Sequence, residues 1–189
     1  MGRGSSGIGI GGTQGGAQGG AQKLAKALKQ VEDSIRWNST ESAVALDENG
    51  NILFTTSDGQ GAEVSISVPQ QRMAYGQTMT HNHPHGYYFS DSDILVAINL
   101  NLKEMRATTP DGRAFVLTHT SPESYPNKWL YFDYQAEIMR TAQEASDRAW
   151  KPGMTKEQFS HQAALEHTKI MNEWLKQNAP KYGYEFREE

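Results

Sequence analysis

The sequence predicts an α/β fold: a mixed sheet with flanking helices, followed by a two-helix C-terminal appendage. Three patterns predict it. Apolar residues recur at helical spacing over residues 22–36, alternating segments separated by turn residues then fill residues 41–118, and helical spacing returns from about residue 125. This order of elements indicates an α/β core that carries a helical extension.

The central part of the chain alternates strand and turn signals. Residues 47–51, Asp-Glu-Asn-Gly-Asn, and residues 110–112, Pro-Asp-Gly, favour turns, and each joins two strands into a hairpin. Pro69 ends the strand before it and begins a short helix through Met73. The predicted strands are residues 41–46, 52–55, 64–68, 77–81, 104–109 and 113–118.

Helices flank these strands in the prediction. The first covers residues 22–36, where one helix face collects the apolar side chains. Ser90 or Asp91 caps a helix that follows the fourth strand, because a short polar side chain there accepts from the first free amides. Two long helices, residues 128–149 and 155–177, are separated by Lys-Pro-Gly.

Composition divides the chain into three parts. Residues 1–22 hold ten of the 18 glycines and too little apolar side chain to offset their ordering entropy, so we expect a flexible leader. Residues 23–120 form the predicted α/β domain, and residues 121–189 form the helical appendage. No signal peptide or membrane span is recognisable, so we expect a cytoplasmic protein of a bacterium or a phage-infected cell, with no membrane partner.

Charge and cysteine content narrow the function classes. A net charge of −4 and a pI near 5.9 argue against non-specific nucleic-acid binding, which needs a basic face. The chain has no cysteine, and this excludes disulfides, thiolate nucleophiles and cysteine-ligated metals. A metal site in this protein must therefore use histidine and carboxylate ligands.

The segment of residues 80–93, Thr-His-Asn-His-Pro-His-Gly-Tyr-Tyr-Phe-Ser-Asp-Ser-Asp, contains such ligands. His81 and His83 are two residues apart on a predicted strand end, so their side chains leave the same face. Asp93 arrives from the next element and adds an oxygen. Three protein ligands with one open position is the arrangement of a catalytic zinc site.

The pattern His-x-His-Pro followed by Ser-x-x-Asp resembles the signature of the JAMM (MPN-type) metalloproteases, zinc isopeptidases that cleave ubiquitin-like tags. The segment Thr-His-Asn-His-Pro is most similar to the RadC-like branch of this family. Related domains accompany phage head-morphogenesis and bacterial toxin proteins. The resemblance covers residues 24–120, and it implies a JAMM/cytidine-deaminase-like mixed sheet. Nine residues separate His83 from Asp93, one fewer than in the usual family pattern.

The resemblance implies a role for each site residue. His81, His83 and Asp93 would bind Zn²⁺, with water in the fourth position. Glu41, at the start of the first strand, would be the general base, and Glu63 remains an alternative to it. Ser90 would help to hold the oxyanion of the tetrahedral intermediate.

We therefore expect a zinc-dependent hydrolase that cleaves a peptide or isopeptide bond in a protein substrate, such as a ubiquitin-like, phage or toxin polypeptide. A second reading is a phage-associated assembly module that uses the JAMM-like core as a scaffold without protease activity. A third is a metal-dependent nuclease or phosphoesterase, for which Arg72 and Arg106 are the nearest candidate phosphate ligands. The C-terminal helices are candidates for self-association.

Overall fold

The structure is a computed structural model that describes residues 14–57, 64–121 and 128–189. The strands within those residues are β1 (Ala43–Leu46), β2 (Ile52–Thr56), β3 (Thr78–Asn82), β4 (Glu104–Thr108), β5 (Ala114–His119) and β6 (Tyr184–Glu188). The helices are α1 (Gln14–Ile35), α2 (Val68–Ala74), α3 (Asp91–Asn99), α4 (Lys128–Ala149) and α5 (Lys156–Asn178), with a 3₁₀ turn at Ala179–Tyr182.

The six strands form one mixed sheet in the order β2-β1-β3-β4-β5-β6. β3 and β4 run parallel, and every other neighbouring pair is antiparallel. A parallel pair needs a crossover connection, and α3 supplies it between β3 and β4. The predicted fold class, a mixed sheet with flanking helices and two C-terminal helices, is confirmed.

Both faces of the sheet are covered. On one face, α1 packs Leu28, Val31 and Ile35 against Val44 and Leu46 of β1. The opposite face carries the larger core, to which α3, α4, α5 and the 3₁₀ turn all contribute. Its buried members include Ala45, Met79, Ile94, Met105, Phe115, Leu130, Tyr134, Met171 and Leu175. All four residues of β1 are buried, as expected of a strand with helices on both sides.

A buried ion pair lies under α1. Arg106 Nε is 2.5 Å from Glu32 Oε1, and both side chains are about nine-tenths buried. Glu104 and Glu189 also contact the guanidinium, and the Thr80 hydroxyl donates to Glu32. Burial alone would lower the pKa of Arg106, but Glu32 and the other carboxylates raise it. This polar group faces α1, on the side of the sheet away from the predicted metal ligands.

Three parts of the sequence prediction need correction. The first helix begins at Gln14, so residues 14–22 are helical where a flexible leader was expected, and residues 1–13 lie outside the described residues. Residues 64–67 belong to no strand or helix; the Ile66 carbonyl accepts from the Gln71 side chain, and the Ser65 carbonyl accepts from the Thr56 hydroxyl. The C-terminal β6 was not predicted, and its pairing with β5 makes the appendage part of the sheet.

Close packing joins the first helix to the turn between β1 and β2. The β1–β2 turn lies against α1, and Gly50 there has φ +80°, a conformation that favours glycine. A side chain at this position would place its Cβ 2.8 Å from the Lys23 carbonyl oxygen and 2.9 Å from the Ala27 Cβ. The turn therefore supports α1 through a contact that sequence periodicity does not reveal. None of the helices in the described part of the chain is long and apolar enough to cross a membrane.

Candidate metal centre

His81, His83 and Asp93 converge at the C-terminal end of β3. His81 is in the strand, His83 follows it by one residue, and the His83 amide still donates to Thr108 O at the end of β4. The Nε2 atoms of the two histidines are 2.8 Å apart. Asp93 Oδ1 is 3.2 Å from His81 Nε2, and Oδ2 is 3.3 Å from His83 Nε2. Residues two apart on an extended chain therefore meet a carboxylate from α3, as the sequence predicts.

The donor set fits a small divalent cation. The three groups offer ligand atoms that all lie within 4.8 Å of one another. A tetrahedral zinc site with bonds of about 2.0–2.1 Å requires its ligand atoms to be about 3.3 Å apart. The two nitrogen–oxygen distances already match this value, and the two nitrogens would have to separate by roughly 0.5 Å. Two imidazoles and one carboxylate suit zinc, but they also bind other first-row metals.

The loop that follows His83 fixes the orientation of its imidazole ring. Its Nδ1 is 2.8 Å from the Tyr87 carbonyl oxygen, so Nδ1–H donates and Nε2 points toward the other ligands. Burial lowers the pKa of the His83 imidazole, but the hydrogen bond and charge of Asp93, together with the charge of Glu41, raise it above its ordinary value. A proton therefore competes with a metal for this nitrogen.

Asp93 belongs to the cluster of candidate ligands and also to the N-terminal cap of α3. It is the third residue of α3, where Ser90 caps the helix and donates from both its amide and its hydroxyl to Asp93 Oδ2. Burial raises the pKa of Asp93, but the neighbouring His81 and His83 hold it well below its usual range. The carboxylate is thus ionised and fixed in orientation before any metal binds.

Glu41 lies beside the cluster, two residues before β1. Its Oε1 is 3.8 Å from His83 Nε2, and the residue is only 9% exposed. β1 pairs with β3 so that Ala43 lies opposite His81, and this register brings the preceding Glu41 to the metal ligands. Glu63, the alternative base, lies outside the described residues.

Asn82, between the two histidines, holds the segment that carries Glu41. Its side-chain oxygen accepts from the Ser42 amide at 2.7 Å, and its side-chain nitrogen donates to the carbonyls of Asn38 and Thr40 at 3.2 Å each. Asn82 is fully buried. The pattern His-x-His assigns no role to this position, because the partners of Asn82 are about 40 residues away in the sequence.

A cavity of about 100 Å³ opens beside the cluster. Its polar lining is Glu41, His81, Ser90, Ser92 and Asp93; its apolar lining includes Val64, Ile66, Met79, Val96 and Met105. The volume corresponds to roughly three water molecules at about 30 Å³ each. The Ser90 hydroxyl borders this cavity while it donates to Asp93, so the structure brings together all five residues selected from the sequence.

Comparison with known proteins identifies no family for this chain. No family model matches the chain, and neither a curated protein nor a solved structure matches it. The resemblance to JAMM metalloproteases therefore rests on the motif of residues 80–93 and remains a prediction.

The C-terminal helices contact the loop and the helix that position the candidate ligands. Asn172 of α5 is buried and donates to the Phe89 carbonyl, in the loop that orients His83. Tyr134 of α4 donates to Asp91 at 2.9 Å, and His167 Nδ1 is 3.6 Å from the same carboxylate. The His167 side chain is only 18% exposed. No local pattern indicated these contacts, because they depend on how the helices pack.

Proposed function

We propose that the protein is a zinc-dependent hydrolase that cleaves a peptide or isopeptide bond in a protein substrate. The observation that carries the proposal is the cluster of His81, His83 and Asp93 with a buried glutamate, Glu41, beside a cavity that Glu41, His81 and Asp93 line. Three protein ligands leave a coordination position for chemistry, and a nearby carboxylate is the group that hydrolysis requires as a base.

Each residue has a role that follows from its position. A zinc ion supplies Lewis acidity, which polarises a carbonyl group and acidifies water near neutral pH. Glu41 accepts a proton from the attacking water and passes it to the leaving amine. Ser90 borders the cavity and can donate to an oxyanion once its hydroxyl turns from Asp93. The apolar lining restricts bulk water and accommodates an apolar part of the substrate.

The charges around the cavity favour an amide over a phosphate ester. Glu41 and Asp93 line the cavity, and a polyanionic substrate would be repelled by them. Arg106, one of the two arginines considered as a phosphate ligand, lies on the other face of the sheet and is paired with Glu32. Arg72 is exposed on α2 and does not line the cavity. These positions lower the support for a nuclease or phosphoesterase.

The decisive experiment measures metal and cleavage on the same samples. Purified protein is analysed for metal content and assayed with a linear reporter peptide and with a peptide branched through a lysine Nζ. We expect about one zinc per chain, and we expect chelation to abolish cleavage. Glu41→Gln should lower kcat by about 10²–10⁴-fold while zinc content stays the same. Glu48→Gln, in the exposed β1–β2 turn, is the matched control and should keep wild-type cleavage.

Two results would overturn the proposal. A correctly folded protein that binds no zinc under any loading condition would remove the metal chemistry. A zinc-loaded protein that cleaves neither substrate class would instead favour a scaffold that retains the metal site without the hydrolysis. A Glu41→Gln variant that cleaves as fast as wild type would show that Glu41 is not the base.

A further inference from the structure

Helix α4 carries an apolar stripe on the side that faces away from the core. Trp129, Phe132 and Met139 are 70%, 58% and 80% exposed, and Trp150, directly after the helix, is 63% exposed. The opposite side of the same helix is buried; its buried residues are Leu130, Tyr134, Thr141, Ala145 and Ala149. Large apolar side chains at this exposure, on one line of one helix, mark an interaction surface.

The stripe has the spacing of a helix–helix seam. Its positions alternate steps of three and four residues, as the a and d positions of a heptad do. They are Trp129, Phe132, Ala136, Met139, Gln143, Ser146 and Trp150. The repeat extends over the full 22 residues of α4, about 33 Å, which is long enough for an intermolecular helix pair.

The charges beside the seam favour a second copy of the same chain as the partner. Asp133, Arg140 and Asp147 recur every seven residues along one edge, all exposed and alternating in sign. In a two-fold symmetric antiparallel pair, Asp133 of each copy lies near Arg140 of the other, which gives two ion pairs from one pattern. Arg140 also pairs with Glu137 of its own helix, but a guanidinium has enough donors for two carboxylates.

We propose that the protein forms a homodimer through antiparallel pairing of α4 with α4 of a second copy. In the register that matches the charges, each large side chain meets a small or polar one: Phe132 faces Gln143 of the second copy, and Met139 faces Ala136. This alternation allows the helices to approach closely without steric conflict. The surface is on the outer side of α4, so pairing leaves the metal centre described above unaltered.

The first test is the mass of the full chain in solution as a function of concentration, by sedimentation equilibrium. We expect a reversible monomer–dimer equilibrium. Met139→Glu should weaken dimerisation by about 100-fold, because two carboxylates would be buried in the seam. Met73→Glu is the matched control: Met73 is 44% exposed on α2, away from the seam, and its substitution should leave the equilibrium unchanged.

The second test addresses the register. Asp133→Arg and Arg140→Asp should each weaken self-association by about 10-fold, because like charges then face each other. A mixture of the two single variants should form a heterodimer, and the double variant should regain the wild-type equilibrium. Asp133 also accepts a hydrogen bond from the Tyr182 hydroxyl, so Tyr182→Phe controls for the loss of that contact.

The outcomes are clear-cut. A protein that remains monomeric at all concentrations, including about 1 mM, overturns the proposal, and so does a dimer unaffected by Met139→Glu. A dimer that loses mass with Met139→Glu but shows no rescue in the mixture overturns the antiparallel register. None of these measurements depends on zinc or on cleavage.

Discussion

Removal of the Asn82 side chain is expected to destabilise the fold and displace the candidate base. Asn82→Ala deletes one buried acceptor for the Ser42 amide and two donors for the Asn38 and Thr40 carbonyls. Each buried hydrogen bond contributes about 1 kcal/mol, and an amide left without a partner costs about 1–3 kcal/mol. The expected loss is therefore about 3 kcal/mol, or about 6–12 °C in melting temperature for a chain of this size.

The assay is urea unfolding of metal-free protein, followed by zinc binding and cleavage on the variants that fold. Asn82→Asp keeps the acceptor for the Ser42 amide, but it places a buried carboxylate oxygen against the Asn38 and Thr40 carbonyls, so we expect it to be no more stable than Asn82→Ala. It should retain zinc but lose kcat, because Glu41 is then held less firmly. Asn49→Ala, in the exposed β1–β2 turn, should change stability by less than about 0.5 kcal/mol. An Asn82→Ala protein as stable as wild type would refute the hydrogen-bond reasoning.

Two further predictions follow from the buried charges. In metal-free protein, the Asp93–His83 pair stabilises the fold fully between pH 3.8 and pH 6.5, the ordinary pKa values of the two side chains. This contribution is lost as pH rises through the raised pKa of His83. It is also lost as pH falls through the lowered pKa of Asp93. Asp93→Asn should therefore reduce the free energy of unfolding more at pH 5 than at pH 8, and an equal loss at both would contradict it. Arg106→Ala should cost about 3–5 kcal/mol, because Glu32 keeps a buried charge without its guanidinium. Urea midpoints measure this, and Lys29→Ala, at an exposed pair with Asp33, should leave the midpoint nearly unchanged.

The metal ligands were predictable because their geometry is local. A spacing of two on a strand end fixes where His81 and His83 point, and an N-terminal cap at Ser90 fixes where Asp93 points. The bounds of β1 to β5 and of α3 follow the turn residues and the apolar alternation closely for the same reason, whereas the strand predicted at residues 64–68 did not form. Local sequence was sufficient wherever the determining partners lie within a few residues.

Features that depend on distant pairing were not predictable. Asn82 gains its role only when β1 pairs with β3, and His167 becomes partly buried only when α5 packs beside α3. The sequence of β6, Tyr-Glu-Phe-Arg-Glu, alternates aromatic and charged residues. This pattern is typical of a solvated tail as much as of an edge strand. The contact of α1 with the β1–β2 turn joins Lys23 and Ala27 to Gly50, which lies more than 20 residues later in the sequence.

The compact placement of the metal ligands along the chain affects folding as well as chemistry. His81, His83 and Asp93 fall within thirteen consecutive residues, and His85 lies among them. If the proposed site binds zinc, an unfolded chain brings its three ligands together at a small loop-closure cost and retains some affinity for the ion. Zinc should therefore raise the melting temperature by less than its affinity for the native protein implies. Glu41 joins the ligands only through long-range strand pairing, so a nascent or denatured chain can hold the ion before the base is in place.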